Sequence, residues 1–242
     1  MAVRALTLDF WNTMVVARTN GQQRQNQRLE HLLHIVRAYR PEAAEETVRT
    51  AYREAARLYE AMWQEQHRTP GASALIHGIW KALDLAVEER HHAETVTLFE
   101  DGVLFGPPDL AEGLEEALAW AVAHYRLGII SDTMFSPGRV LRRLLQRRGV
   151  LQYFDAFVFS DETGFSKPDA RAFEQAGTTL GVAAHEMVHI GDLRRTDVGG
   201  ARSAGLKAIL YTGVREDPDD APAPDAVLAH WRTLPEVLEQ LA

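Results

Sequence analysis

Four short stretches place carboxylates, a hydroxyl and one lysine where they could act together on an anion: DFWNT at 9–13, IISDT at 129–133, SKPD at 166–169 and GDLRRTD at 191–197. Asp9 and Asp192 could share a magnesium ion, a hard cation that prefers oxygen ligands and keeps part of its water. Asp197 could orient metal-bound water or Lys167. The ion and Lys167 would neutralise a phosphoryl group, and Ser131 with nearby backbone N–H groups could hydrogen-bond its oxygens. Asp9 would then be free to attack phosphorus in line, forming an aspartyl-phosphate that water hydrolyses. Taken singly, each residue has a plainer role. A strand-end Asp caps a helix, a Ser forms a turn, and a Lys is solvated. The sharper reading rests on their joint order.

The elements around these stretches explain the order. Val3 to Asp9 reads as a short buried strand, and RLGIIS, DAFVFSDE, EMVHIGD and LKAILY supply further apolar runs. Helical patterns near 109–124, 137–148, 169–180 and 195–204 separate them, and a short strand at 226–229 and a helix near 234–241 close the chain. Such alternation implies a mostly parallel sheet covered on both faces, with working residues gathered at the carboxyl ends of its strands. Asp9, Ser131 and Asp192 stand at such ends, and Lys167 follows a strand after a loop. Residues 21–92 break the alternation with helical signals alone. Leu29, Leu32, Leu33 and Val36 form one stripe; Val48, Tyr52, Ala55, Tyr59 and Met62, after Pro41, form a second; Leu75, Ile76, Ile79, Trp80 and Leu83 form a third. The expected division is an α/β core over 1–15 and 107–242 with a helical cap over 16–106.

The totals set bounds. A chain of 242 residues can bury a sizeable core. Asp and Glu outnumber Lys and Arg by 34 to 26, for a formal charge of −8, which argues against a nucleic-acid surface. No cysteine is present, so disulfides and thiolate chemistry are excluded. Neither a signal-peptide pattern nor a long apolar run is found, and the expectation is a cytoplasmic protein with no membrane partner. Nothing in the composition sets an oligomeric state.

The four motifs, with the tracts FSKPDARAFEQAGTTLGV and MVHIGDLRRTDVGGARSAGLKAI, resemble the haloacid dehalogenase-like hydrolase superfamily over about 1–15 and 107–229. That resemblance implies a Rossmann-like core and a cap inserted between the first and second motifs. It implies Asp9 as nucleophile, Thr13 supporting the phosphate-binding turn, Ser131 binding the transferred phosphoryl group, and Lys167 beside the nucleophile. Asp192 would be the direct Mg2+ ligand, Asp197 a second acid acting through water, and the backbone carbonyl of Trp11 the remaining protein ligand. The substrate implied is a small phosphorylated metabolite.

Two positions depart from that pattern. Trp11 stands where family phosphatases carry an acid/base aspartate, and an indole N–H neither protonates an alkoxide nor activates water near neutrality. Losing a positioned acid commonly costs ~10²–10⁴ in rate, so good leaving groups are favoured. Asn12 stands where glycine is usual; asparagine tolerates the left-handed backbone better than most residues. Three other readings follow. A metal-independent 2-haloacid dehalogenase would tolerate an aromatic residue at 11, but its members lack the Gly-Asp pair of the fourth motif. A phosphonate-cleaving enzyme would need a cap lysine, and Lys81, the one lysine there, reads as solvated. A chain with decayed chemistry would bind a phosphate or a partner. Arg18, Asn20 and Arg24, leaving the first motif, are candidate substrate contacts; Arg194 and Arg195 could approach the site; Trp63 and Trp80 read as anchors of the cap core.

Overall fold

A computed structural model describes residues 2–241. Its centre is β1 (Ala5–Leu8), with β4 (Arg126–Ser131) and β5 (Ala156–Phe159) on one side and β6 (Met187–Gly191), β7 (Lys207–Tyr211) and β8 (Ala226–Leu228) on the other. The order is β5-β4-β1-β6-β7-β8, and every neighbouring pair runs parallel. β1 therefore lies where the order reverses, the place at which open α/β sheets form a crevice beyond their strand ends.

Side-chain alternation assigns the two faces. Leu6, Leu8, Leu127, Ile129, Val188 and Ile190 enter one buried cluster with α5 (Leu114–Ala121), α6 (Gly138–Arg147) and α10 (Leu234–Glu239). Ala5, Ile130, Val158, Met187 and Ala208 enter the other with α8 (Ala170–Leu180) and α9 (Gly199–Ser203), and a single turn, α7 (Ser160–Thr163), follows β5. A parallel sheet covered on both faces needs such continuous apolar strands.

Between the first and second motifs come four helices: α1 (Gly21–Tyr39), α2 (Glu45–Gln66), α3 (Ala72–Ala82) and α4 (Glu89–Phe105). Leu32, Val36, Val48, Ile76, Ile79, Trp80 and Phe99 bury together in a cluster that Phe135 of the loop after β4 also enters, so the insert is a helical cap seated on that loop. The three stripes read from the sequence lie in α1, α2 and α3, although α2 begins at Glu45 and not at Pro41. α4 carried no stripe in that reading and is a finding of the structure. So is a two-stranded ribbon in which β2 (Val15–Val16) pairs antiparallel with β3 (Asp109–Leu110), tying the two chain segments that enter and leave the cap. The expected helix over 109–124 is therefore shorter, and the one over 195–204 is split into a π-helical turn, Arg194–Val198, followed by α9.

Candidate active site

Asp9 leaves β1 with its backbone N–H donating to Ile190 O at 2.9 Å, which places the carboxylate beside the end of β6. Lys167 arrives from the loop after β5, held by its own backbone N–H donating to Asp132 Oδ1 at 2.9 Å. Its Nζ donates to Asp9 Oδ1 at 2.5 Å and to Asp197 Oδ1 at 2.6 Å, with all three side chains buried. Asp192 follows β6 directly and is also buried. A Cβ on Gly191 would stand 2.2 Å from Asp197 Cγ, so glycine at 191 is what lets the Asp197 carboxylate pack against the strand end.

Electrostatics within this group are lopsided. Burial pushes the Asp9 carboxyl well above its ordinary range; Lys167 opposes this, while Asp197 and Asp192 add to it. Burial also raises Asp192, to about 6, with Asp197 adding to the rise and Arg215 opposing it. Burial works against ionisation of Asp197 too, yet Lys167 and His189 outweigh it and hold that carboxyl below the usual range. Lys167 is desolvated, but Asp197, Asp9 and Asp132 keep it protonated more firmly than a free lysine. His189 stands behind, with Nε2 3.1 Å from Asp197 Oδ1 and Nδ1 2.9 Å from Thr7 Oγ1. Burial lowers its pKa, so it is neutral, donating from Nε2 and accepting from the threonine.

The structure brings Asp9, Lys167, Asp192 and Asp197 together at one cavity of ≈ 430 Å³, also lined by Trp11, Asn12, Asp132 and Arg215. Of the two roles open to Asp197, its contacts serve Lys167: Oδ1 takes the ammonium and the histidine, and Oδ2 accepts the Leu193 N–H at 2.9 Å. Asn12 adopts φ 56°, the left-handed turn, which asparagine tolerates in place of glycine. Ser131 and Thr13 are buried at the strand end and the turn, outside the cavity lining; the Thr13 hydroxyl has no hydrogen-bond partner among the described residues.

The cap candidates fall differently. Arg18 is exposed and lies outside the cavity lining. Asn20 donates to Pro107 O at 2.9 Å, also away from the cavity lining. Arg24 lines the cavity, but its guanidinium donates to Thr19 O at 2.8 Å, Gly106 O at 2.6 Å and Ala17 O at 2.6 Å. Asn20 and Arg24 thus clasp the cap's two connections. Lys81 is exposed and opens onto a different cavity, which leaves a phosphonate-cleaving chemistry without its lysine. Trp80 is a buried cap anchor as expected. Trp63 is not confined to that role: it lines the active cavity, donates Nε1–H to Asp132 Oδ2 at 2.8 Å and carries the Arg195 guanidinium 4.5 Å from its ring centroid.

Sequence reasoning missed Asp132, Arg215 and Arg28. Asp132 sits inside the IISDT motif, next to Ser131. Arg215, four residues past β7, donates Nε–H to Asp192 Oδ2 at 2.5 Å, a second cation where only Lys167 was expected. The strand-end rule would have pointed to it. Arg28 carried no local signal.

A magnesium ion fits the chemistry of what remains. Asp9 uses Oδ1 for Lys167 and Asp192 uses Oδ2 for Arg215, which leaves one hard oxygen on each buried carboxylate. Raised acids short of positive charge are what a divalent cation would stabilise. No group of three or more His, Cys, Asp or Glu side chains arranged to hold a metal occurs among the described residues, so a backbone carbonyl such as that of Trp11 would be needed as a further ligand.

A family model described as haloacid dehalogenase-like hydrolase matches residues 3–205. The phosphoserine phosphatase of Thermus thermophilus is 32% identical over 180 residues, covering 67% of this chain and 68% of that protein. The glyceraldehyde 3-phosphate phosphatase of Methanothermobacter thermautotrophicus is 40% identical over 88 residues, which cover 36% of this chain and 37% of that protein, little more than a third of its length. Among solved structures, a 2-haloacid dehalogenase from Pseudomonas syringae superimposes with a TM-score of 0.74 at 23% identity, covering 99% of this chain and all of that one; at this identity the likeness is one of fold.

Proposed function

Because the chain belongs to the haloacid dehalogenase-like hydrolase family, we propose that it is a phosphatase of a small phosphorylated metabolite, with Asp9 as nucleophile. The observation that carries this reading is the buried set of Asp9, Lys167, Asp192 and Asp197 at one cavity. The phosphatase names of the two relatives agree with it.

In this mechanism Lys167, fixed by Asp197 and Asp132, holds the phosphoryl oxygens and keeps Asp9 aligned. One oxygen of Asp9 attacks phosphorus as the bond to the leaving oxygen breaks, and the electron pair departs with that oxygen. Water then attacks the phosphorus of the aspartyl-phosphate, the bond to Asp9 breaks, and carboxylate and inorganic phosphate are released. Mg2+, held by Asp9, Asp192 and the Trp11 carbonyl, would supply charge neutralisation for the transferring group. No acid stands at position 11 to protonate the leaving oxygen, so donors with stable leaving groups are favoured.

Acetyl phosphate and p-nitrophenyl phosphate, assayed with and without Mg2+, test the reading. Turnover should disappear in Asp9→Asn, and turnover unchanged by that substitution would reject the nucleophile. One observation favours a second reading: Arg215 and Lys167 between them pair with Asp9, Asp192 and Asp197, as a metal-free dehalogenase would require. Halide release from a 2-haloacid, together with failure across a phosphate panel, would select it.

A further inference from the structure

Four basic side chains line the active cavity: Arg24, Arg28, Lys167 and Arg215. Three are committed. Lys167 and Arg215 pair with carboxylates, and Arg24 spends its donors on three backbone carbonyls. Arg28, on α1, is different. Its Nε is shut off from solvent and has no hydrogen-bond partner among the described residues. Its hydrogen bond to Phe99 O, from Nη2, is long at 3.4 Å, and the Tyr52 hydroxyl is its other polar neighbour.

The surroundings of Arg28 are apolar. The guanidinium carbon lies 4.4 Å from the centroid of Phe135 and 5.5 Å from that of Phe99, and Phe135 belongs to the core's second-motif loop. Burial pushes the pKa of Arg28 down, and the group acting against this is the Tyr52 phenol, not a carboxylate. Arg24 is a like charge nearby. A desolvated cation is costly unless paired, and stacking on aromatic faces recovers only part of that cost. A planar guanidinium with open donors is well suited to a carboxylate or phosphate in a fixed orientation. The phosphoryl group has its own place at Asp9 and Lys167, so the anion that completes Arg28 must lie elsewhere on the same molecule.

We propose that Arg28 receives a second anionic group, a carboxylate or a phosphate, carried on the leaving group of the substrate. This rests on the phosphatase reading and narrows it: the substrates are phosphate monoesters with two separated anionic ends. Phe135, Met134 and Val103 line the cavity as well and would cover the carbon skeleton between them.

Binding tests this without turnover. Calorimetry on the full chain carrying Asp9→Asn compares 3-phosphoglycerate with glycerol 3-phosphate, which differ by a carboxylate, and fructose 1,6-bisphosphate with fructose 6-phosphate, which differ by a phosphate. A preference of about tenfold or more for the doubly anionic member of at least one pair is expected, as one charge-assisted hydrogen bond supplies. The pair that shows it identifies the anion. Adding Arg28→Gln should erase the preference and leave the singly anionic member within about twofold, since that ligand makes no contact with Arg28. If Arg28→Gln fails to melt cooperatively, Arg28→Lys carries the same test, with the preference reduced but present. Equal binding within both pairs, equal weakening of both members, or no measurable binding at millimolar ligand would overturn the proposal. Acetyl phosphate hydrolysis by the chain with Asp9 intact separates the two levels: its absence counts against the phosphatase reading, whereas its presence without a preference in either pair counts against the assignment of Arg28 alone.

Discussion

Trp11 presents an apolar ring to the cavity, and its indole N–H does not transfer a proton near neutrality. The indole lies against Phe10 with ring centroids 5.0 Å apart, edge to face, and lines the cavity beside Asp9. Trp11→Asp would place a carboxyl at the position from which an acid could reach the leaving oxygen. A positioned acid contributes ~10²–10⁴, and its value falls as the leaving group becomes more stable as an anion. Hydrolysis of glycerol 3-phosphate should therefore rise by about tenfold or more, with acetyl phosphate nearly unchanged. Steady-state kinetics on the two donors decides it: equal effects on both would mean that Trp11 acts by shaping the pocket.

At the level of elements, the cap joins the core through two segments that are clasped to one another. The β2–β3 ribbon pairs them, and Arg24 binds carbonyls from both, Ala17 and Thr19 on entry and Gly106 on exit. Arg24→Met keeps most of the stem and removes the charged donors, leaving three carbonyls to find water. Hydrogen bonds to a charged group contribute about 1.5–3 kcal/mol each, only part of which is lost if water reaches the carbonyls. We expect a net loss near 2 kcal/mol and a Tm lower by about 4–8 °C, read by calorimetry; an unchanged Tm would show that the clasp contributes nothing. Much of this architecture was legible in the sequence because helices and buried strands carry a period. The stripes of α1 to α3 and the strand ends at Asp9 and Asp192 follow from spacing and residue type, and the turn at Asn12 from the family resemblance. The ribbon was not legible: strands of two residues have no period to detect. α4 opens on the polar run ERHHAE, and its large buried side chains, Phe99, Val103 and Leu104, pack where it meets α1, α3 and α6. Arg24, Arg28 and Arg215 illustrate the limit at the site. All are arginines in polar stretches of sequence, and only the fold reveals that one clasps carbonyls, one lies against aromatic rings and one meets Asp192.

Across the whole molecule, the cap is held on two sides by unequal means. On one side α4 lies along α6, with Arg143 3.2 Å from Asp101 and Arg147 donating to Leu104 O at 2.9 Å. On the other side the far half of α2 and the turn after it meet the loops that carry the second and third motifs. Trp63 donates to Asp132, Tyr59 donates its hydroxyl to Thr133 O at 3.0 Å, and the Ser166 N–H donates to His67 O at 3.0 Å. An opening motion would break this second side, because its contacts, these hydrogen bonds and the Phe135 ring against Tyr52 and Phe99, run to loops, whereas α4 meets α6 helix to helix. Asp132 makes the fastening sensitive to the site, since its other oxygen holds the backbone of Lys167. Trp63→Phe keeps a ring beneath Arg195 and removes only the indole donor. Losing a hydrogen bond to a charged group, about 1.5–3 kcal/mol, should shift the balance toward the open cap by roughly tenfold or more. Amides of residues 59–66 should then exchange faster, and KM should rise more than kcat falls, because closure would draw on binding energy. A higher KM with unchanged exchange would make Trp63 a substrate contact, and no change in either would remove it from the closure of the cap.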